Sequence, residues 1–133
     1  MTKALRVGVI GIGAMGYAIA RNLQAKAYPL LVRDIDPAAV AAAAALGIEA
    51  AISPADLGGR SDVILIVVVD AAQIEAVLFG ADGVVHADRG GSDGRLAVLL
   101  CSTIAAEDTE RFGERLASLG IDVLDAPISG GPA

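Results

Sequence analysis

Six residues near the amino terminus, Gly11-Ile12-Gly13-Ala14-Met15-Gly16, constrain this chain more than any other segment. They follow an apolar run, Leu5-Arg6-Val7-Gly8-Val9-Ile10, and open a stretch from Ala14 to Ala25 that reads as a helix. Between a strand and a helix, glycines at this G-x-G-x-x-G spacing have separate mechanical tasks. The first makes the tight turn, the second leaves bare backbone for a pyrophosphate, and the third lets the helix pack close to the strand. The helix start then offers unpaired N–H groups and a partial positive charge to phosphate oxygens. Two other readings compete. One is a secretory signal, with Lys3 and Arg6 before an apolar stretch and Ala18-Ile19-Ala20 as a cleavage site. The other is glycine serving turns and close packing with no ligand. Glycines at positions 8, 11, 13 and 16 would interrupt a helical signal core, and the remainder of the chain decides against both.

A chain of 133 residues is one domain's worth, long enough for a sizeable core. Only 3% of it is aromatic, so that core must be built from Val, Ile, Leu and Ala. A net charge of −6 argues against a nucleic-acid surface, which needs clustered Lys and Arg. No apolar run reaches the length of a membrane span. The single cysteine, Cys101, leaves no internal disulfide and fits a reducing cytoplasm. It ends an apolar run and reads as buried and inert. The lone His86 lies in a polar, glycine-rich stretch and reads as a loop residue, so no metal site is expected.

Strand and helix patterns alternate to the end of the chain. Tyr28 to Arg33 reads as a second strand, and Asp36-Pro37 as the cap and first turn of a helix through Leu46, closed by Gly47. Ile48 to Ile52 follows as a short strand, then a turn or short helix from Ser53 to Leu57. Val63 to Val69 is seven unbroken apolar residues, the pattern of a strand buried on both faces. A helix from Ala71 to Phe79, a loop to Gly94, a strand from Leu96 to Cys101, a helix from Ala105 to Leu119 and a strand from Ile121 to Leu124 complete the pass. Such alternation implies right-handed crossovers and an α/β fold, a doubly wound parallel sheet of the dinucleotide-binding (Rossmann) kind over residues 1–133.

In that fold a ligand lies at the carboxyl ends of the strands, where the strand order reverses. Asp34 ends the second strand, 23 residues after Gly11. An acid there accepts hydrogen bonds from ribose hydroxyls and repels a 2′-phosphate, which favours NAD over NADP. A solvated turn acid is the bland alternative. The neighbouring Arg33 could instead accommodate a 2′-phosphate, although strand alternation points its side chain away from that of Asp34. Val68 and Val69 end the central strand and would line the cleft, with plain core an equal reading for Val68. Ser102 and Thr103 end the next strand, either capping the following helix or contacting a nicotinamide. In the final segment, Asp125-Ala126-Pro127-Ile128-Ser129-Gly130-Gly131-Pro132-Ala133, a hydroxyl followed by two glycine N–H groups forms a plausible carboxylate cradle, or else a flexible tail.

Four blocks together resemble the β-hydroxyacid dehydrogenases, the family of 3-hydroxyisobutyrate, tartronate semialdehyde and 6-phosphogluconate enzymes. They are Val9 to Gly16 with Ala20 and Asn22-Leu23, Gln73-Ile74-Glu75-Ala76-Val77-Leu78-Phe79-Gly80, Ser102-Thr103-Ile104, and Asp125 to Gly131. They occur in family order across essentially the whole chain, and the second leans toward the threonate dehydrogenase-like branch. The resemblance implies that Gly11, Ile12, Gly13, Ala14, Met15, Gly16 and Asp34 hold NAD. It assigns Val68, Val69 and Thr103 to the nicotinamide half, and Ser129, Gly130 and Gly131 to the substrate carboxylate. The family moves hydride between a small 3-hydroxy acid and the nicotinamide, while a lysine on a helix beyond the Ser-Gly-Gly segment handles the hydroxyl proton. The chain's own lysines, Lys3 and Lys26, fall toward the opposite edge of the sheet. The expectation is therefore a cofactor-binding domain, inactive alone, whose parent adds a helical catalytic domain that also makes a homo-oligomer. Rivals are a free-standing NAD(H) sensor or partner-binding module, which has no need of a carboxylate cradle, and an imine reductase-like enzyme. A methyltransferase using S-adenosylmethionine fits the four blocks less well.

Overall fold

The computed structural model describes residues 4–90 and 94–127. Six strands and five helices alternate: β1 (Val7–Ile10), α1 (Ala14–Ala25), β2 (Leu30–Arg33), α2 (Pro37–Ala45), β3 (Glu49–Ala50), α3 (Pro54–Gly59), β4 (Val63–Ile66), α4 (Ala71–Phe79), β5 (Ala97–Leu100), α5 (Ala106–Ser118) and β6 (Asp122–Asp125). All strand pairs are parallel, in the order β3-β2-β1-β4-β5-β6. The order reverses between β1 and β4, so the crevice that accepts a ligand in such sheets opens there. No helix among the described residues is long and apolar enough to cross a membrane.

Local chemistry sets most helix ends. Asp36 accepts the Ala38 N–H at 3.0 Å with Pro37 in the first turn of α2, and Gly47 closes that helix at φ +80°. Ser53 caps α3 through the Asp56 N–H at 3.0 Å, and Asp70 caps α4 through the Gln73 N–H at 2.9 Å. Helix α5 carries Glu107 and Asp108 in its first turn and Arg115 in its last, complementing its dipole.

Each face of the sheet has its own core. Ile10, Ile64, Ile66, Val98 and Leu100 meet Ile74 and Leu78 of α4 and Phe112 and Leu116 of α5 on one side. Val9 and Val32 meet Ala20 of α1 and Ala43 of α2 on the other. Helices α1 and α2 do not cover this second face evenly. Leu65, Leu99 and Leu124 stand in register across β4, β5 and β6; the first two are half-buried and Leu124 is 62% exposed.

Several boundaries differ from the pattern-based expectation. The strand expected over residues 63–69 keeps ladder pairing only to Ile66; Ile64 and Ile66 are buried, whereas Val63 and Leu65 are half-buried and Val69 is exposed. An apolar run records tolerance for burial, but strand length is set by the neighbours that pair with it. Similarly, the second strand starts at Leu30 rather than Tyr28, and the third is two residues long. The segment expected as a plain loop holds a 3₁₀ turn, Val84–His86, in which Val84 joins the core and His86 stays exposed. Cys101 is buried, and burial pushes its thiol up.

At the amino ends of β1 and β4, Asp62 accepts the Arg6 backbone N–H at 2.9 Å and is bridged by its guanidinium at 3.0 Å. The Arg6 hydrogen bond holds the Asp62 carboxyl below its ordinary value. A lowered folded value means that the contribution is present above the unfolded pKa and is lost as pH falls through the folded one. Asp62→Asn should therefore lower Tm near neutrality by a few degrees at most, given the partial exposure of the pair. The wild-type advantage should disappear on acidification below about pH 4. Thermal melts of both proteins across that range check this; parallel acid limbs would refute it.

Candidate functional site

A cleft of about 340 Å³ opens at the carboxyl ends of β1, β2 and β4. Its lining runs from Arg33, Asp34, Ile35 and Pro54 on one side, past Gly11 and Gly13, to Val67, Val68, Val69 and Gln73 on the other. A smaller hollow of about 140 Å³ lies at the amino ends of the strands. Its charged side chains are taken up by ion pairs, Arg6 with Asp62 and Arg60 with Glu49 and Asp56.

The three glycines do different work. Gly11 sits at φ +93°, and a Cβ there would lie 2.5 Å from the Val67 carbonyl oxygen, so the turn out of β1 requires glycine. Gly16 faces the Gly11 backbone so closely that a Cβ would overlap its carbonyl oxygen. This close approach draws the first turn of α1 against the end of β1. Gly13 is the contrast. It has an ordinary extended backbone at φ −64°, and nothing stands within 4 Å of the place a Cβ would take. It also occupies the N-cap position of α1, where no side chain caps the helix. The bare backbone of an uncapped helix start, opening into a cleft, suits a pyrophosphate in both shape and charge. Ile12 is buried in the second core, while Ala14 is exposed and Met15 half-buried at the helix start.

Asp34 is tied to this loop. Its Oδ2 accepts the Ile12 N–H at 2.8 Å and its Oδ1 the Asp36 N–H at 2.9 Å. Each carboxylate oxygen has two acceptor positions, so both keep one for a hydroxyl. The acid thus fixes the glycine loop as well as facing the cleft, a second task that spacing alone did not reveal.

Arg33 does not follow the expected alternation, because it lines the same cleft as Asp34. The reason is positional: β2 ends at Arg33, so Asp34 is already off the ladder and the pleat no longer separates the two. Arg33 Nη1 donates to the Ile52 carbonyl at 3.1 Å, and its Nε is buried without a hydrogen-bond partner among the described residues.

Val68 and Val69 separate in role. Val68 packs on the main core while lining the cleft, and Val69 projects at 80% exposure. Neither Ser102 nor Thr103 caps α5, whose N-cap is Ala105 with no side-chain hydrogen bond. Ser102 is buried and its hydroxyl donates to the Val68 carbonyl, whereas Thr103 is exposed. Ser129, Gly130 and Gly131, expected to hold a substrate carboxylate, lie outside the described residues. Ile35 and Pro54 also line the cleft without having been expected there, and so does Gln73, which opens the second resemblance block but was given no site role. Ile35 carried a usable signal, an aliphatic side chain between two acids with no strand or helix pattern to bury it; Gln73 and Pro54 gave none beyond their places in helix starts.

Residues 6–133 match the family described as the NAD binding domain of 6-phosphogluconate dehydrogenase. The chain is 42% identical over 127 residues to L-threonate dehydrogenase from Cupriavidus necator, covering 96% of this chain and 41% of that one. Its backbone is similar to the crystal structure of 3-hydroxyisobutyrate dehydrogenase from Salmonella typhimurium, with a TM-score of 0.82 and 36% identity over 96% of this chain and 43% of that one. An imine reductase from Myxococcus stipitatus in complex with NAD+ aligns with a TM-score of 0.85 over 96% of this chain and 42% of that one; at 24% identity this is a likeness of fold. The chain spans about two fifths of the length of the curated relatives it matches. On the match over nearly its whole length, together with the glycine turn and parallel sheet, the chain belongs to the family of the NAD binding domain of 6-phosphogluconate dehydrogenase.

Proposed function

We propose that this chain is the cofactor-binding part of an oxidoreductase that moves hydride between a small 3-hydroxy acid and NAD. The observation that carries the reading is the open backbone at Gly13, on an uncapped helix start, beside the Ile12 amide that donates to Asp34 at 2.8 Å. In this reading the Gly11 to Gly16 turn takes the pyrophosphate and the free acceptor positions of Asp34 take the ribose hydroxyls. Val68, Val69 and Thr103 stand on the nicotinamide side. When bound, the nicotinamide supplies the hydride acceptor. The chain's own residues hold it, exclude water with the valines and present one face of it to substrate. Ser129, Gly130 and Gly131 bind the substrate carboxylate. The identity to a threonate dehydrogenase supports hydroxy acids over imines as the substrate class.

The remaining length of the parent would supply a helical domain with the proton-handling lysine and the contacts of a homo-oligomer. The Leu65-Leu99-Leu124 row, apolar and open at Leu124, is a surface of the kind such a domain would bury. Free, buried Cys101 suits a cytoplasmic protein. A free-standing NAD(H) sensor is the second reading, favoured only by the six-stranded sheet and cleft that the described residues form.

Calorimetric titration with NAD and NADP tests the cofactor assignment. NAD should bind more tightly, because the Asp34 carboxylate repels a 2′-phosphate. Asp34→Ala should weaken NAD about tenfold or more, through loss of a charge-assisted hydrogen bond and of the Ile12 tether. Tighter binding of NADP by the wild type would overturn the Asp34 argument and bring Arg33, with its unpartnered Nε, forward as the selecting residue.

A further inference from the structure

We propose that Ser102 and Gln73 are positioning residues that lock one peptide unit, between Val68 and Val69, in the orientation the cofactor meets; this rests on the dinucleotide reading of the cleft. Strand β4 leaves the sheet in stages. The Ile66 carbonyl still accepts the Cys101 N–H at 3.0 Å, and the Val67 N–H still reaches the Ile10 carbonyl at 2.8 Å. Past Val67 the neighbouring strands supply no further ladder bond, and side chains replace it. Ser102 Oγ donates to the Val68 carbonyl, and Gln73 Oε1 accepts the Val69 N–H at 3.0 Å.

That carbonyl and that N–H are the two ends of the same planar amide. A hydroxyl from the end of β5 and a side-chain amide from the first turn of α4 therefore grip it from opposite sides. Rotating the plane would break both bonds at once. Ser102 is only 8% exposed, so its hydroxyl has little access to water in compensation. Gln73 is exposed, is not part of the core, and leaves the capping of its helix to Asp70. Among the described residues, the Val69 N–H is the group the Gln73 side-chain oxygen accepts. With the plane fixed, Val68 stays against the core and Val69 projects at the cleft wall.

Two measurements on the 133-residue chain test the clamp: amide hydrogen exchange of the free protein, and fluorescence titration with NADH. Ser102→Ala and Gln73→Leu should each speed exchange at the Val69 amide about fivefold, the worth of one net hydrogen bond, with β1 and β4 amides unchanged. Each should also weaken NADH about fivefold. Because one rotation breaks both bonds, the two losses should combine at the Val69 amide, the double variant exchanging faster than either single. Gln73→Glu, which keeps the acceptor, should return protection to Val69. A double variant whose Val69 amide exchanges no faster than the faster single, or Val69 exchange that Gln73→Leu leaves untouched, overturns the proposal. If the buried Ser102→Ala fails to fold, the exposed Gln73→Leu still decides through exchange. A wild-type chain that binds neither NADH nor NADPH sinks the dinucleotide reading instead, and Val69 exchange, read without ligand, then settles the clamp alone.

Discussion

Gly16→Ala should cost the chain both its stability and its dinucleotide binding, whereas Gly13→Ala, three residues away, should cost the binding alone. At Gly16 the added methyl would overlap the Gly11 carbonyl oxygen and approach the Gly11 carbonyl carbon at 2.9 Å. Both atoms are backbone, in a turn already committed to φ +93° at Gly11, so no flexible side chain can give way. Relief would come only by moving α1 off the end of β1. An overlap of that kind costs about 3 kcal/mol or more, a fall in Tm of about 10 °C for a chain of this length. At Gly13 the backbone already lies in a region alanine adopts, and the methyl would enter open space. Melting should move by a few degrees at most, the difference between glycine and alanine at a helix N-cap. Yet the same methyl would stand where a pyrophosphate approaches bare backbone. Loss of one charge-assisted hydrogen bond weakens NAD about 30-fold. Thermal melts and NAD titrations of the two variants check the split. Unimpaired binding by Gly13→Ala would show that the open backbone is not the phosphate site.

How much of this was legible beforehand follows from what kind of physics each feature obeys. The glycine turn and the Asp36-Pro37 start of α2 are local, and their residues state their own geometry. The parallel, doubly wound character of the sheet follows from alternation of strand and helix, because parallel crossovers have one hand, whereas the strand order does not. Features that depend on partners were not legible. Where β4 ends is decided by Ile10 and Cys101, which supply or withhold ladder bonds, and nothing in the run Val63 to Val69 encodes it. Ser102 looked equally suited to capping α5 or touching a ligand; the Val68 carbonyl, 34 residues away in sequence, claims it instead. Arg33 and Asp34 share the cleft because the ladder stops between them, a fact that belongs to β1 as much as to β2. In the site, the backbone elements could be read from sequence, while the side chains that hold them in place could not.

The purified chain should bind NAD yet show no hydride transfer, read as absorbance at 340 nm with L-threonate or 3-hydroxyisobutyrate, at any pH from 6 to about 10. Oxidising a hydroxyl carbon sends its hydride to the nicotinamide and its hydroxyl proton to a base, and that base must lie within hydrogen-bonding reach. The polar side chains lining the cleft are Arg33, Asp34 and Gln73. In the proposed binding mode the acceptor positions that Asp34 keeps beside its two backbone N–H groups go to ribose hydroxyls, Gln73 takes the Val69 N–H, and a guanidinium has donors but no acceptor. Lys26, the lysine among the described residues, follows α1 at the end away from the glycine turn. Twelve helical residues separate the two, about 18 Å at the ordinary rise. His86 is exposed in its 3₁₀ turn outside the cleft lining, and Cys101 is buried outside that lining too, where burial pushes its thiol up. Rate therefore falls to nothing here for want of a base, while affinity survives. In the proposed parent, a base within reach should raise turnover by a factor characteristic of general-base catalysis, about 10² to 10⁴ beyond what positioning alone provides. Turnover by the 133-residue chain itself would mean that a residue in this cleft handles the proton, and Asp34 would then be the first to replace.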